Sequence, residues 1–146
     1  MIQIVIIAHA PLASALQQVA AHAYPEWVER VRAIDVEPQD TPESVELRVR
    51  AMLLPSQETL LLADIFGATP CNGALRAADG VKTRVICGTN VPMLWRALCY
   101  GDEPLDKLAG MALSGASHGI LQLAGTRPQN QSQKGAADAA GESQDQ

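Results

Sequence analysis

Aliphatic runs and helical patterns alternate along this chain of 146 residues. Four short runs predict strands, at residues 2–8, 32–36, 60–63 and 84–87. The first is apolar at every position from residue 4 to residue 8, which is typical of a parallel strand buried on both faces. Because a helical pattern follows each predicted strand, we expect an α/β fold. Its βαβ units would form a doubly wound, mainly parallel sheet with helices on both faces.

Capping residues mark where the predicted helices begin. Thr41 is placed to cap a helix whose first residue is Pro42, a position where the missing N–H of proline costs little. Thr69 and Pro70 repeat this order of cap and proline. The helices are predicted over about 11–23, from 42 onward, from 69 to about 79, over 90–98 and over about 105–123.

Residues that carry chemistry stand at the carboxyl ends of two predicted strands. In an open parallel sheet, ligands bind at that edge, where neighbouring strands send their helices to opposite faces. His9 ends the first strand and Asp64 ends the third, so a strand order of 2-1-3-4 would make them face each other. A carboxylate that accepts a hydrogen bond from one imidazole nitrogen leaves the other nitrogen with a lone pair, and the ring is then a nucleophile.

Two predicted helices begin beside this pair, one after His9 and one after the segment Gly67-Ala68-Thr69. The N–H groups and the dipole at a helix amino-terminus favour anions, so both helices are suited to receive a phosphoryl group. Gly67 permits close approach of the backbone, and Thr69 adds a hydroxyl donor. This chemistry requires neither a metal nor a cofactor.

Composition argues against several classes of protein: nucleic-acid-binding, membrane-inserted, disulfide-linked and zinc-binding. A formal net charge of −5 argues against nucleic acid as a partner, because no basic stripe is available to neutralise phosphates. No apolar stretch approaches the roughly 18 residues of a membrane span, so we expect a cytoplasmic protein without membrane insertion. Three cysteines without a CxxC spacing predict reduced, buried thiols rather than disulfides or a zinc site (Cys71, Cys87 and Cys99).

The last twenty residues differ in composition from the rest. Residues 127–146 are rich in Gln, Ala, Gly, Ser and Asp and have no large apolar side chain. Such a segment buries too little surface to become ordered, so we predict one domain over 1–126 followed by a disordered tail over 127–146.

Three motifs in order resemble the mannose/sorbose-type IIA components of the sugar phosphotransferase system. They are an aliphatic strand ending in histidine (IVIIAH, 4–9), the segment DIFGATPCN (64–72) and the segment GTNVPML (88–94). The resemblance covers about residues 1–125. This chain departs from the family pattern in having Ala10 and Pro11 after the histidine, where glycine is usual, and Cys71 at a position that is often aromatic.

The resemblance implies a phosphocarrier. His9 would accept a phosphoryl group from the carrier protein HPr and pass it to a IIB component, Asp64 would orient the ring, and residues 67–69 would form the phosphate cradle. It also implies a homodimer in which an antiparallel strand near the carboxyl terminus is exchanged between subunits. Asn90 is either a second contact behind the site or simply turn chemistry before a proline.

Two other functions fit parts of the pattern. An aspartate-phosphorylated receiver domain also has Asp after its third strand, but it needs an acidic pair after strand one, where this chain has Ala8 and His9. A regulatory phosphoprotein, which signals by its phosphorylation state in an incomplete phosphotransferase system, would use the same chemistry as a transport component. The sugar is not encoded in this component.

Overall fold

Four parallel strands form the centre of the fold. The structure, a computed structural model, describes residues 1–125. The strands are β1 (Gln3–His9), β2 (Val31–Val36), β3 (Thr59–Ala63) and β4 (Thr83–Ile86). Their order is β2-β1-β3-β4, and every neighbouring pair is parallel. The predicted doubly wound sheet and its order 2-1-3-4 are confirmed.

Helices cover both faces of this sheet. They are α1 (Leu12–Ala23), α2 (Pro42–Met52), α3 (Thr69–Ala77), α4 (Val91–Cys99) and α5 (Leu105–His118). Side chains of α1, α4 and α5 share one buried cluster with one face of the strands. Side chains of α2 and α3 share a second cluster with the other face. The sheet is therefore the middle of three layers.

The strand side chains explain this layering. Ile4 and Ile6 of β1 belong to the first cluster, whereas Val5 and Ile7 belong to the second. All four side chains are fully buried, because successive residues of a strand point to opposite faces and both faces are covered. This is why the first strand lacks the alternation of apolar and polar residues seen in half-exposed strands.

The start of α2 follows the predicted capping pattern. The hydroxyl of Thr41 accepts a hydrogen bond from the Ser44 backbone N–H at 3.1 Å, and the Ser44 hydroxyl accepts one from the Thr41 N–H at 2.9 Å. Pro42 occupies the first helical turn. These reciprocal bonds satisfy donors that the helix itself leaves unpaired.

Two expectations need correction, and one element was missed. The last helix ends at His118 and not near Leu123, because the apolar side chains beyond the Gly119 cap are exposed and have no core in the described chain to pack against. A 3-10 helix over Pro25–Arg30 was not predicted. Of the three thiols, Cys71 is buried, whereas Cys87 is half-buried and Cys99 is exposed; exposure depends on packing that composition does not report.

The carboxyl-terminal expectations extend past the described chain. Residues 120–125 form no strand in this single chain, and the predicted tail at 127–146 lies outside the described residues. The exchanged strand and the boundary of the domain at residue 126 therefore stay predictions.

The turn before β4 supplies a testable pH dependence. Backbone N–H groups of Val81, Lys82 and Thr83 donate to the Asp79 carboxylate, and these bonds lower its pKa to about 2. Since the folded pKa lies below the ordinary value of 3.8, the carboxylate stabilises the fold above about pH 4, and this contribution is lost as the pH falls towards 2. Asp79→Asn should be less stable than wild type in urea at pH 7, with the difference vanishing near pH 2.

The exposed Glu58 provides the matched control, since Glu58→Gln is expected to change the free energy of unfolding little at either pH. If Asp79→Asn lowered the free energy of unfolding by the same amount at pH 7 and at pH 2, the role of the carboxylate charge would be contradicted.

Candidate active site

His9 and Asp64 meet at the carboxyl edge of the sheet. The His9 Nδ1 atom lies 2.7 Å from Asp64 Oδ2, and the His9 backbone N–H donates to the same oxygen at 2.9 Å. The pairing follows from the topology: His9 is the last residue of β1, and Asp64 comes directly after β3, its neighbour in the sheet. The two predicted residues therefore form one constellation.

The Asp64 carboxylate is more buried than the His9 ring and accepts hydrogen bonds through both of its oxygens. Its other oxygen, Oδ1, accepts a hydrogen bond from the Ile65 backbone N–H at 2.8 Å, and the Asp64 side chain is only 11% exposed. The His9 side chain is 55% exposed. In the neutral ring, a proton on Nδ1 directed at Asp64 leaves Nε2 with a free lone pair. The arrangement presents an oriented imidazole nucleophile to an approaching molecule.

The loop between β3 and α3 lies beside this pair. Gly67 has a φ of +87°, which L side chains rarely adopt, and no heavy atom lies within 4 Å of the position that a Cβ would take. The backbone there is open to an approaching group. The preceding residue, Phe66, is the only phenylalanine in the chain. It is 77% exposed, which is unusual for a large apolar side chain.

Thr69 does not cap α3 as predicted. It is the first residue of the helix, and Ala68 occupies the capping position without a side-chain hydrogen bond. The prediction assumed that Thr69 and Pro70 act as Thr41 and Pro42 do, with threonine as the cap and proline as the first helical residue. In α3 the threonine is itself the first helical residue. The Thr69 hydroxyl is thus not used as a cap, and it lies in the first turn, where an anion would be held.

A second acidic residue, Asp35, lies near this edge of the sheet and was not among the predicted site residues. Asp35 precedes the last residue of β2, and its Oδ1 accepts a hydrogen bond from the Ser14 backbone N–H in the first turn of α1 at 3.0 Å. The signal for its position was present, since Asp35 lies next to the last residue of a strand that the predicted order sets beside β1.

Asn90 caps one helix and is bonded to another. Its Oδ1 caps α4 by accepting from the Met93 N–H at 2.9 Å, and its amide donates to the Ala116 carbonyl at 3.2 Å. The residue before it, Thr89, was not singled out from the sequence. Its backbone N–H and its hydroxyl both donate to the Ala63 carbonyl, at 3.1 and 2.7 Å, and so tie the end of β3 to the start of α4.

The remaining histidines are not part of the constellation. His22 and His118 are exposed in the last turns of α1 and α5, and in the described chain the Asp64 carboxylate pairs with His9 alone. Within residues 1–125, no three His, Cys, Asp or Glu side chains are grouped so as to hold a metal ion. None of the helices described there is long and apolar enough to cross a membrane.

Comparison with protein families gives one match that spans most of the chain. The family EIIA-man, described as "PTS system fructose IIA component", matches residues 3–107. The chain belongs to this family. The matched residues of this IIA component include His9, Asp64 and the loop between β3 and α3. A comparison with curated proteins found no match.

Solved structures share the fold of this IIA component. The EIIA phosphotransferase component of Streptococcus agalactiae is 24% identical, with a TM-score of 0.76 over 84% of this chain and 97% of its own. The mannose/sorbose-specific IIA subunit of Enterococcus faecalis is 22% identical, with a TM-score of 0.79 over 86% and 97%. A sigma-54 interaction domain protein of Enterococcus faecalis is 15% identical, with a TM-score of 0.65 over 80% and 92%.

Proposed function

We propose that this IIA component is a cytoplasmic phosphocarrier, which accepts a phosphoryl group on His9 from phospho-HPr and passes it to a IIB component. The observation that carries the proposal is the 2.7 Å contact between His9 Nδ1 and Asp64 Oδ2, in a His9 side chain that is 55% exposed. Membership of the family supports it independently.

The geometry suggests which atom reacts. Nε2 of His9 attacks the phosphorus of the donor phosphohistidine, the bond from phosphorus to the donor nitrogen breaks, and the electron pair returns to the donor ring. As the new bond forms, positive charge develops on the imidazole of His9. The Asp64 carboxylate lies where it stabilises that charge, and it holds the ring in the attacking orientation.

Residues around the ring would receive the transferred group. Phosphoryl transfer proceeds largely through positioning and electrostatic stabilisation of the phosphoryl oxygens. The open backbone at Gly67, the cap residue Ala68 and the hydroxyl of Thr69 in the first turn of α3 are suited to supply donors. In this proposal, residues 67–69 are the phosphate cradle, and Asn90 supports it only through the helix that it caps.

The proposal is tested by reconstituting the relay. Purified protein incubated with phosphoenolpyruvate, enzyme I and HPr should become phosphorylated, and the label should be lost when a IIB component of the mannose type is added. Omission of HPr should prevent labelling. A protein that stays unlabelled with all components present would contradict the proposal.

We also expect transfer to His9 to proceed without a divalent metal, because the proposed donors are N–H groups and a hydroxyl. Enzyme I needs Mg²⁺, so the measurement starts from purified, metal-free phospho-HPr. The rate of labelling should be the same with and without EDTA. A rate abolished by EDTA and restored by Mg²⁺ would reveal a metal in the transfer step.

A regulatory role is the second candidate. The same phosphorylation of His9 would then report the state of an incomplete phosphotransferase system to another protein. The likeness to a sigma-54 interaction domain protein keeps this function in view, although at 15% identity it shows a shared fold alone. Onward transfer to a IIB component separates the two functions, because a purely regulatory protein would keep its label.

Assembly is part of the proposal. We expect a homodimer with an exchanged strand near the carboxyl terminus, and the exposed apolar side chains that follow α5 support it (Ile120, Leu121 and Leu123). In β4, the residues from Thr83 to Ile86 form an edge of the sheet and pair on one side with β3 only. A strand from a second subunit would cover that edge.

A further inference from the structure

Asp35 caps a helix that begins next to His9. The residue before α1 is Pro11, which has no polar side chain to accept from the first N–H groups of the helix. The Asp35 Oδ1 atom, from the neighbouring strand β2, accepts instead from the Ser14 backbone N–H at 3.0 Å. Ser14 is the third residue of α1, a position whose N–H a capping side chain ordinarily binds. The cap of α1 is therefore supplied by tertiary structure and not by the adjoining sequence.

The sheet puts Asp35 where it can reach this helix. Ile34 and Val36 belong to the cluster shared with α2 and α3, so the Asp35 side chain between them points to the opposite face, on which α1 packs. In the register of β1 and β2, Asp35 lies beside the residue before His9. The backbone of Asp35 is fixed as well, because Arg48 of α2 donates to its carbonyl at 3.0 Å. Asp35 thus holds the start of α1 from a position that is itself held.

Two bonds to the end of β2 hold the turn that connects His9 to α1. At the start of the turn, the Ala10 backbone N–H donates to the Val36 carbonyl at 2.9 Å. At its far end, the Ser14 N–H donates to Asp35. The residues between these two points follow His9 directly and lie at the same edge of the sheet as its ring. Of the two bonds, only the one to Asp35 depends on a side chain, so it is the one that a substitution removes.

We propose that Asp35 is a positioning residue for the phosphorylation of His9: by capping α1, it keeps the turn after His9 in the place that transfer requires. The inference rests on the proposed function. In this role Asp35 neither bonds the phosphoryl group nor moves a proton, and it acts through the turn that it holds.

The size of the effect follows from the dependence of phosphoryl transfer on positioning. A misplacement of about 1 Å costs up to roughly 100-fold in rate. Loss of the cap loosens the turn but leaves His9 and Asp64 in the protein, so we expect a smaller loss of about tenfold.

The test compares wild type with two substitutions at residue 35. Asp35→Ala removes the acceptor, whereas Asp35→Asn keeps an oxygen that caps a helix about as well as a carboxylate does. Labelling by phospho-HPr is followed over a range of phospho-HPr concentrations, at a temperature well below the thermal transition of each protein. For Asp35→Ala, we expect the maximal rate to fall about tenfold and the KM for phospho-HPr to change little, because the turn positions the reacting ring. Asp35→Asn should restore most of the maximal rate.

Glu37→Ala is the matched control, since it removes an exposed carboxylate two residues further along the chain and should leave the rate unchanged. An Asp35→Ala protein that melts at a lower temperature but is phosphorylated at the wild-type rate would overturn the proposal, because the cap would then be merely structural. An Asp35→Asn protein as slow as Asp35→Ala would overturn it too, because the charge and not the cap would then matter.

A further variant decides the question if Asp35→Ala does not fold. Asp35→Glu keeps the charge but lengthens the side chain by one methylene, so the proposal predicts slower phosphorylation than for Asp35→Asn. The opposite order of rates would overturn it. A wild-type protein that accepts no phosphoryl group would instead contradict the proposed function.

Discussion

The protein carrying His9→Ala is expected to accept no phosphoryl group from phospho-HPr. The reason is chemical: the proposed reaction forms a bond between phosphorus and an imidazole nitrogen, and alanine has no nucleophile to replace it. His9 is 55% exposed and forms its hydrogen bonds at the edge of the sheet, so the fold should tolerate the change. Labelling is followed by mass spectrometry at neutral to alkaline pH, where phosphohistidine survives.

Matched controls come from the other two histidines. His22→Ala and His118→Ala remove exposed imidazoles that form no ion pair with a carboxylate in the described chain, and both proteins should be labelled at the wild-type rate. Retention of label by His9→Ala, with a circular dichroism spectrum unchanged from wild type, would place the acceptor elsewhere.

The second large effect is expected from Asp64→Asn. A neutral amide accepts a hydrogen bond from Nδ1–H less strongly than a carboxylate, and its NH₂ group also donates to Nδ1, which puts the ring proton on Nε2 and removes the attacking lone pair. It also fails to stabilise the charge that develops on the ring. We expect the rate of phosphorylation to fall by about 100-fold or more, as for carboxylates that orient a histidine in other enzymes.

The control for this substitution is Asp102→Asn, which removes an exposed carboxylate in the turn before α5 and away from His9. Both variants should keep a cooperative thermal transition, since Asp64 has no role in the buried clusters. An Asp64→Asn protein that is phosphorylated as fast as the Asp102→Asn control would refute the orienting role.

Much of this site was predictable because it depends on strand ends and strand order. A continuous apolar run identified β1, and its last residue is His9; a shorter run identified β3, and Asp64 follows it. Once the strands are parallel and β1 lies beside β3, the two residues must meet at one edge. That His9 and Asp64 face each other follows from the pattern and the strand order, whereas the 2.7 Å contact between their side chains is a finding of the structure.

Features that depend on tertiary packing were not predictable in the same way. The apolar residues 120, 121 and 123 continue the helical pattern of α5 in the sequence, but they have no core in the described chain to pack against, and the helix ends at His118. The capping residue of α3 was predicted as Thr69, whereas Ala68 adopts the extended conformation of a cap, without a side-chain bond, and Thr69 is the first residue of the helix.

The central claim is that Nε2 of His9 carries the phosphoryl group while Nδ1 stays bonded to Asp64. Nuclear magnetic resonance of the phosphoprotein with ¹⁵N-labelled histidine tests it most directly, because coupling to phosphorus identifies the nitrogen that is bonded to it. We predict coupling at Nε2 of His9 and a protonated Nδ1. Coupling at Nδ1, or a phosphoprotein in which neither nitrogen of His9 couples to phosphorus, would contradict the account.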